Sequence, residues 1–326
     1  MPRPGRDRGR VPGRVDVGRF VSRSAPASNV FDPDYDRPES MRCTPQATAA
    51  REAAESPVSP ERLAAFEELL GERVFTLREL PHFGLLLRDL RRLGESLPDG
   101  AVVVALERTL LYGGVSLFAP FFSRQAYVSV DCSPAGSEAR GAYNAHMLDD
   151  PRAIKVPFSR LACIVGTGVD PESAELVIVP NLVHHVRDQD AMFAEFARIV
   201  RPGGAVYVFE PTVRELHQIP DDYLRYTPYG IAERMRQVGL DTDPARLEGG
   251  PFSAIAYCWT QALQYVPDAE RGRMEEWFRT THLDELMRWD TTYRENLVRP
   301  FTKFPMSFSV TGRKRPARGA PPAADG

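Results

Sequence analysis

The stretch from Ala174 to Pro211, AELVIVPNLVHHVRDQDAMFAEFARIVRPGGAVYVFEP, constrains the fold more than any other part of the chain. Its first apolar run, Leu176 to Val179, is unbroken, as in a strand covered on both faces. Asp190 to Val200 then places Met192, Phe193, Phe196 and Ile199 on one helical face. Arg201-Pro-Gly-Gly204 stops that helix, and Ala205 to Phe209 reads as a second strand. Strand, helix and strand in this order make one repeat of a parallel α/β sheet. Asn181, His184 and His185 follow the first strand and Glu210 ends the second. Open α/β sheets bind ligands outside the carboxyl ends of their strands.

Upstream, Ala101 to Leu106 (AVVVAL) and Gln125 to Val130 are further strands, ending at Glu107 and Asp131. Between them lie Gly113-Gly114 and an apolar helix, SLFAPFF. Two earlier helices are expected, one starting at Pro60 and one over Leu77 to Leu93. Ser137 to Leu148 reads as a helix, and Leu161 to Val165 as a short strand. Thr227 is an N-cap for a helix to Val238, with Pro228 behind it and Gly239 at its end. Phe252 to Tyr265 is a helix, residues 269 to 298 a helical insertion, and Met306 to Val310 a closing strand at a sheet edge.

The 326 residues, 43% of them hydrophobic, can build a large core. A formal charge of −3 gives no global field toward nucleic acid or an anionic membrane. No run of 18 apolar residues occurs, so no membrane span is expected. Cys43, Cys132, Cys163 and Cys258 are scattered, and no disulfide framework follows; Cys163 and Cys258 read as buried thiols. A soluble, cytoplasmic protein is expected. Seven arginines precede Ala25, and this segment reads as a disordered tail. Val30 to Arg42 has the composition of a lid.

The matches VSVD (Val128 to Asp131), AELVIVPNLVHHV, RIVRPGGAVYVFEP, YTPYGIAERMRQVGL (Tyr226 to Leu240) and FSVTGRK (Phe308 to Lys314) resemble the class I S-adenosylmethionine-dependent methyltransferases. The resemblance runs from about residue 95 to 314. One departure stands out. The family's first loop is acidic-x-Gly-x-Gly-x-Gly, and here Thr109 and Leu111 occupy the first two glycine positions, with Glu107 and Gly113 kept. The resemblance implies S-adenosyl-L-methionine as cofactor. It places Glu107, Thr109 and Gly113 under the amino acid end and Asp131 on the ribose. Cys132 and Ser133 would border the adenine, with Gly166 and Thr167 reaching toward it. Asn181 and Leu182 would line the cofactor's edge.

A neutral histidine suits proton removal, so His185 and then His184 are candidate bases, their rings expected to point apart. Tyr226 is a candidate for the acceptor pocket. Glu210 can meet a positive substrate group or pair with Arg214. His146 and His217 are isolated in sequence, and no spacing of His, Cys and acids makes a metal site. Phe278 with His282, and Trp289 with Tyr293, share helix faces in the insertion. That pattern suits an acceptor site or a homodimer contact.

The expected fold is α/β: a Rossmann-like, doubly wound, mostly parallel sheet with N-terminal helices and a C-terminal helical insertion. Residues 1–58 are an N-terminal disordered or lid-like segment, and 59–97 a helical cap. Residues 98–312 are the cofactor domain, including the insertion 267–300, and 313–326 a tail. The expected activity is methyl transfer to a small or medium organic acceptor, with no nucleic acid or membrane partner. A cyclase, an aminocarboxypropyl transferase and a catalytically silent scaffold on the same fold are the alternatives.

Overall fold

The apolar runs assemble side by side. In the computed structural model, residues 57–73, 83–133, 145–217, 221–293 and 303–316 are described. The chain divides into units 1–37 and 38–326, and every described residue lies in the second. The expectations for the arginine-rich tail, the Val30 to Arg42 lid, the first part of the Ser137 helix and the last ten residues lie outside the described residues.

The strands are β1 (Val102–Glu107), β2 (Ala126–Asp131), β3 (Arg160–Leu161), β4 (Ala174–Pro180), β5 (Val200–Pro211), β6 (Leu240–Thr242), β7 (Arg246–Glu248) and β8 (Ser307–Lys314). The sheet runs β3-β2-β1-β4-β5-β8-β6, and β7 also pairs with β8. From β3 to β5 all pairings are parallel; β8 is antiparallel to β5, β6 and β7. The chain moves from β1 to β2 on one side and returns through β4 on the other. The strand order therefore reverses between β1 and β4, where such sheets open a ligand crevice. Glu107 and Asp131 stand in register at the tips of β1 and β2.

Both faces are covered, which is why the strands lack polar alternation. Helices α1 (Pro60–Arg73) and α2 (Gly84–Ser96) cover one face, where Phe66, Leu70, Leu86 and Leu90 pack with Val103, Ala105 and Ile178. Helices α3 (Gln189–Ile199) and α4 (Pro228–Gln237) cover the other, where Phe193, Phe196, Ile231 and Met235 pack with Val104, Leu106 and Val177. Both of the second pair are capped as their sequences require. Asp188 accepts from the Ala191 N–H at 3.0 Å, and Thr227 from the Gly230 N–H at 3.1 Å. At Gly204 a β-carbon would lie 2.8 Å from the Glu175 carbonyl, so glycine is what lets β5 close on β4. Asp89 of α2 is fully buried and ties helix to sheet. It accepts from Tyr207 at 3.1 Å and Ser309 at 2.8 Å, and it pairs with Arg246.

Helix α5 (Pro251–Ala262) answers the Phe252 to Tyr265 expectation, and α6 (Asp268–Phe278) and α7 (Asp284–Tyr293) lie in the expected insertion; the three pack around Tyr257, Phe278, Leu286 and Met306. Phe278 stacks on Trp259 at 5.1 Å and lies 6.0 Å from His282. A π-helical turn, Arg279–Leu283, joins α6 to α7.

Four expectations are corrected. SLFAPFF forms a single 3-10 turn, Ala119–Phe122, in place of a helix. The strand at Leu161 is only Arg160–Leu161. β8 is interior to the sheet, since β6 and β7 add outside it. Cys258 is exposed on α5, and Cys163 is only half-buried. Among the described residues no helix is long and apolar enough to cross a membrane.

Candidate functional site

The carboxyl tips of β1, β2 and β4 carry most of the residues singled out in the sequence. The loop after β1 is a 3-10 turn, Thr109–Tyr112, ended by Gly113 in the left-handed region at φ 65°. Glu107 is buried at the tip of β1. Its Oε1 accepts from Ser116 at 2.7 Å, Tyr127 at 2.8 Å and Ser129 at 3.0 Å, all buried. Burial pushes its carboxyl up to about 7, against the pull of those three hydroxyls.

Asp131 is fully buried. Its Oδ1 accepts from the Ser133 N–H at 2.7 Å, and its Oδ2 accepts from the Thr109 hydroxyl. A cavity of about 50 Å³ remains at the tips, lined among others by Glu107, Thr109, Leu111, Asn181, Leu182 and His185. Asn181 lies in the left-handed region at φ 55°, and its Oδ1 is buried with no hydrogen-bond partner among the described residues. The Ser133 hydroxyl is in the same condition. A larger cavity, about 560 Å³, opens where Glu175 begins β4 and Gly203 enters β5. That is the amino end of the parallel strands, away from the tips.

Other candidates make contacts within the fold. Thr167 donates to Glu195 of α3 from its N–H at 2.8 Å and its hydroxyl at 2.6 Å, so it fastens its loop to that helix. Gly166 is exposed in the same loop, and Cys132 is half-buried beside Asp131. Tyr226 donates to Gln189 at 3.2 Å, and Gln189 donates in turn to the carbonyls of Val183 and Val186. Tyr226 thus braces the histidine turn from behind.

That turn, Val183–His185, is organised by Glu210. Its Oε1 accepts from the N–H groups of Leu182 at 2.9 Å and Val183 at 2.8 Å, and its Oε2 lies 2.5 Å from His184 Nδ1. Glu210 therefore meets neither Arg214 nor the cavity. The two histidine rings do not point apart, their centroids being 4.0 Å from each other. His217, from the segment after β5, joins them, its ring 5.1 Å from His184 and 4.8 Å from His185. It is not isolated, because the chain doubles back over the tip of β4. Its N–H donates to Asp222 at 2.9 Å, and Asp222 pairs with Arg225. Burial first, then the Arg214 charge, lowers His217 to about 4. Burial also holds His185 well below the usual histidine range. No sequence signal pointed to His217, which is 33 residues from His184.

Residues 114–208 match the family model described as Methyltransferase domain. No curated protein matches the chain. Among solved structures, a Haemonchus contortus phosphoethanolamine N-methyltransferase 2 in complex with S-adenosyl-L-methionine is 16% identical with a TM-score of 0.42. That likeness covers 78% of this chain and 56% of the other. The 4+2 cyclase SpnF is 13% identical with a TM-score of 0.42, covering 81% and 99%. The YcgJ protein of Bacillus subtilis is 14% identical with a TM-score of 0.40, covering 71% and 99%. These likenesses are distant, and the assignment rests on the family match.

Proposed function

We propose that this chain, which carries a class I S-adenosylmethionine-dependent methyltransferase-like domain, transfers a methyl group from S-adenosylmethionine to a small or medium organic acceptor. The observation that carries the reading is the pair of buried atoms at the strand tips, Asn181 Oδ1 and Ser133 Oγ, that have no hydrogen-bond partner among the described residues. Buried polar atoms nearly always have partners, and a ligand lying across the tips would supply them. Asp131 already accepts from a hydroxyl, that of Thr109, which is the chemistry a ribose diol would offer. The donor set therefore fits the cofactor.

The volume does not fit while the turn is closed. About 50 Å³ is well below the ~300–1,000 Å³ of pockets for ligands of this size. Binding in this reading swings the Thr109–Tyr112 turn off Asp131. Gly113 and Gly114, both at positive φ, give the backbone its hinge.

Bound there, the sulfonium would supply a methyl group activated for in-line displacement. The chain aligns and encloses. Asp131 and Ser133 would hold the nucleoside end, and Asn181 and Leu182 the edge. Leu111, Leu117 and Phe118 give the cavity an apolar wall. His185 borders the same cavity, its Nδ1 fixed on the Asp221 carbonyl. Holding both partners in one geometry can provide much of the rate of such a transfer.

A second reading is favoured by the Thr109–Asp131 bond itself: a scaffold in which the turn never opens. Calorimetry of the full chain with S-adenosylmethionine and S-adenosylhomocysteine separates the two. Saturable binding that weakens in Asp131→Ala is the expected result, followed by labelled methyl transfer across an acceptor panel. Absence of binding to either compound rejects the enzyme reading.

A further inference from the structure

The three histidines beyond the tip of β4 are arranged as ligands. One ring nitrogen from each of His184, His185 and His217 lies within 4.8 Å of the others. His184 and His217 face each other through Nε2 at 3.4 Å. Two nitrogens of a tetrahedral zinc site, each about 2.0–2.1 Å from the metal, stand about 3.3 Å apart. That edge is already in place.

The hydrogen-bond partners decide which nitrogen is free. His184 Nδ1 sits on the Glu210 carboxylate at 2.5 Å. His185 Nδ1 sits on the Asp221 carbonyl. His217 Nδ1 lies 3.2 Å from Asp222 Oδ2 and 3.3 Å from the Glu215 carbonyl. All these partners are acceptors, so each ring carries its proton on Nδ1 and its lone pair on Nε2. The Nε2 atoms of His184 and His217 then face each other at 3.4 Å, an edge that a cation would bridge. Carboxylates and carbonyls behind histidine Nδ1 atoms are also the usual outer partners of metal-binding imidazoles.

We propose that His184, His185 and His217 bind one divalent transition-metal ion, of the zinc class, through their Nε2 atoms, with Glu210 and Asp222 orienting the rings. Three imidazoles leave a fourth position open, as in catalytic rather than structural zinc sites. His185 also lines the cavity at the strand tips, so the ion borders it. The inference stands apart from the methyl-donor reading, since no part of it uses the cofactor.

The test uses full-length protein stripped by chelator and titrated with Zn²⁺ against a chromophoric competitor, without S-adenosylmethionine. One Zn²⁺ per chain is expected, with affinity reduced 100-fold or more in His217→Ala. Circular dichroism checks that the variant is folded. Co²⁺ then reads the ligand directly. His217→Cys should gain a thiolate-to-cobalt charge-transfer band over the wild-type spectrum. If His217→Ala does not fold, that band alone decides. No Zn²⁺ uptake by the wild type, equal affinity in His217→Ala, or no added band in His217→Cys overturns the site.

Discussion

The Thr109 hydroxyl donates to the carboxylate of Asp131 across the tips of β1 and β2. The residue standing where the family's loop has its first glycine thus occupies the acidic residue that would hold a ribose. Removing the hydroxyl should help the ligand and harm the free protein. Thr109→Ala is expected to lower stability by about 1–3 kcal/mol, because Asp131 loses a buried partner. S-adenosylhomocysteine should bind several-fold more tightly, since no internal bond is then exchanged. Thermal melts and calorimetry read the two effects, and unchanged affinity would mean that the turn is not a competitor.

Asp131→Ala should act in the opposite direction on binding. Loss of ribose contacts is expected to weaken S-adenosylhomocysteine by about 1–3 kcal/mol. Unaltered affinity in a folded variant rejects the ribose role of Asp131.

Glu107 makes stability pH-dependent. Its folded value, about 7, lies above the ordinary 4.5 because burial disfavours the charged form. A group raised in the folded state contributes fully below its unfolded value and loses that contribution as pH rises through the folded one. Stability should therefore fall between about pH 4.5 and pH 7 through this residue. Glu107→Gln, which cannot ionise, should flatten the profile in that window, as measured by urea unfolding at several pH values. A wild-type slope retained in the variant would assign the effect elsewhere.

Asp290 of α7 caps α5 from 37 residues away. It accepts from the Ser253 hydroxyl at 2.6 Å and from the Phe252 N–H at 3.1 Å, while α5 has no side-chain cap of its own. Asp290→Ala should cost about 0.5–2 kcal/mol, the range for losing a helix cap. Hydrogen exchange should rise first at the start of α5. Equal exchange in variant and wild type would separate the cap from the stability of the insertion.

Glu210 holds the histidine turn through two backbone N–H groups and one ring. Glu210→Ala leaves buried donors unmet, at about 1–3 kcal/mol each. A folded variant with wild-type stability would mean that the turn is held by Gln189 alone.

The α/β sheet was legible in the sequence because parallel strands covered on both faces are unbroken apolar runs, and AVVVAL and ELVIVP have no other comfortable place. The cap of α4 was legible because Thr227 acts within three residues. The interior position of β8 was not, because strand order depends on partners far along the chain. The same limit governed the site. Glu107, Asp131 and Asn181 could be placed at strand tips from local order, yet what the side chains of Glu107 and Asp131 met depended on neighbours as far as 22 residues away.

The chain's own periodicity was enough to place β1, β2, β4 and β5 and their tips, since hydrophobic spacing is local information, but not the three-residue strands β6 and β7. Only the folded arrangement decided that Thr109 covers Asp131, that Glu210 organises a turn, and that His217 completes a cluster with His184 and His185. Those relationships come from loops crossing the sheet edge, where direction is set by packing and hydrogen bonds between distant segments and no spacing rule operates.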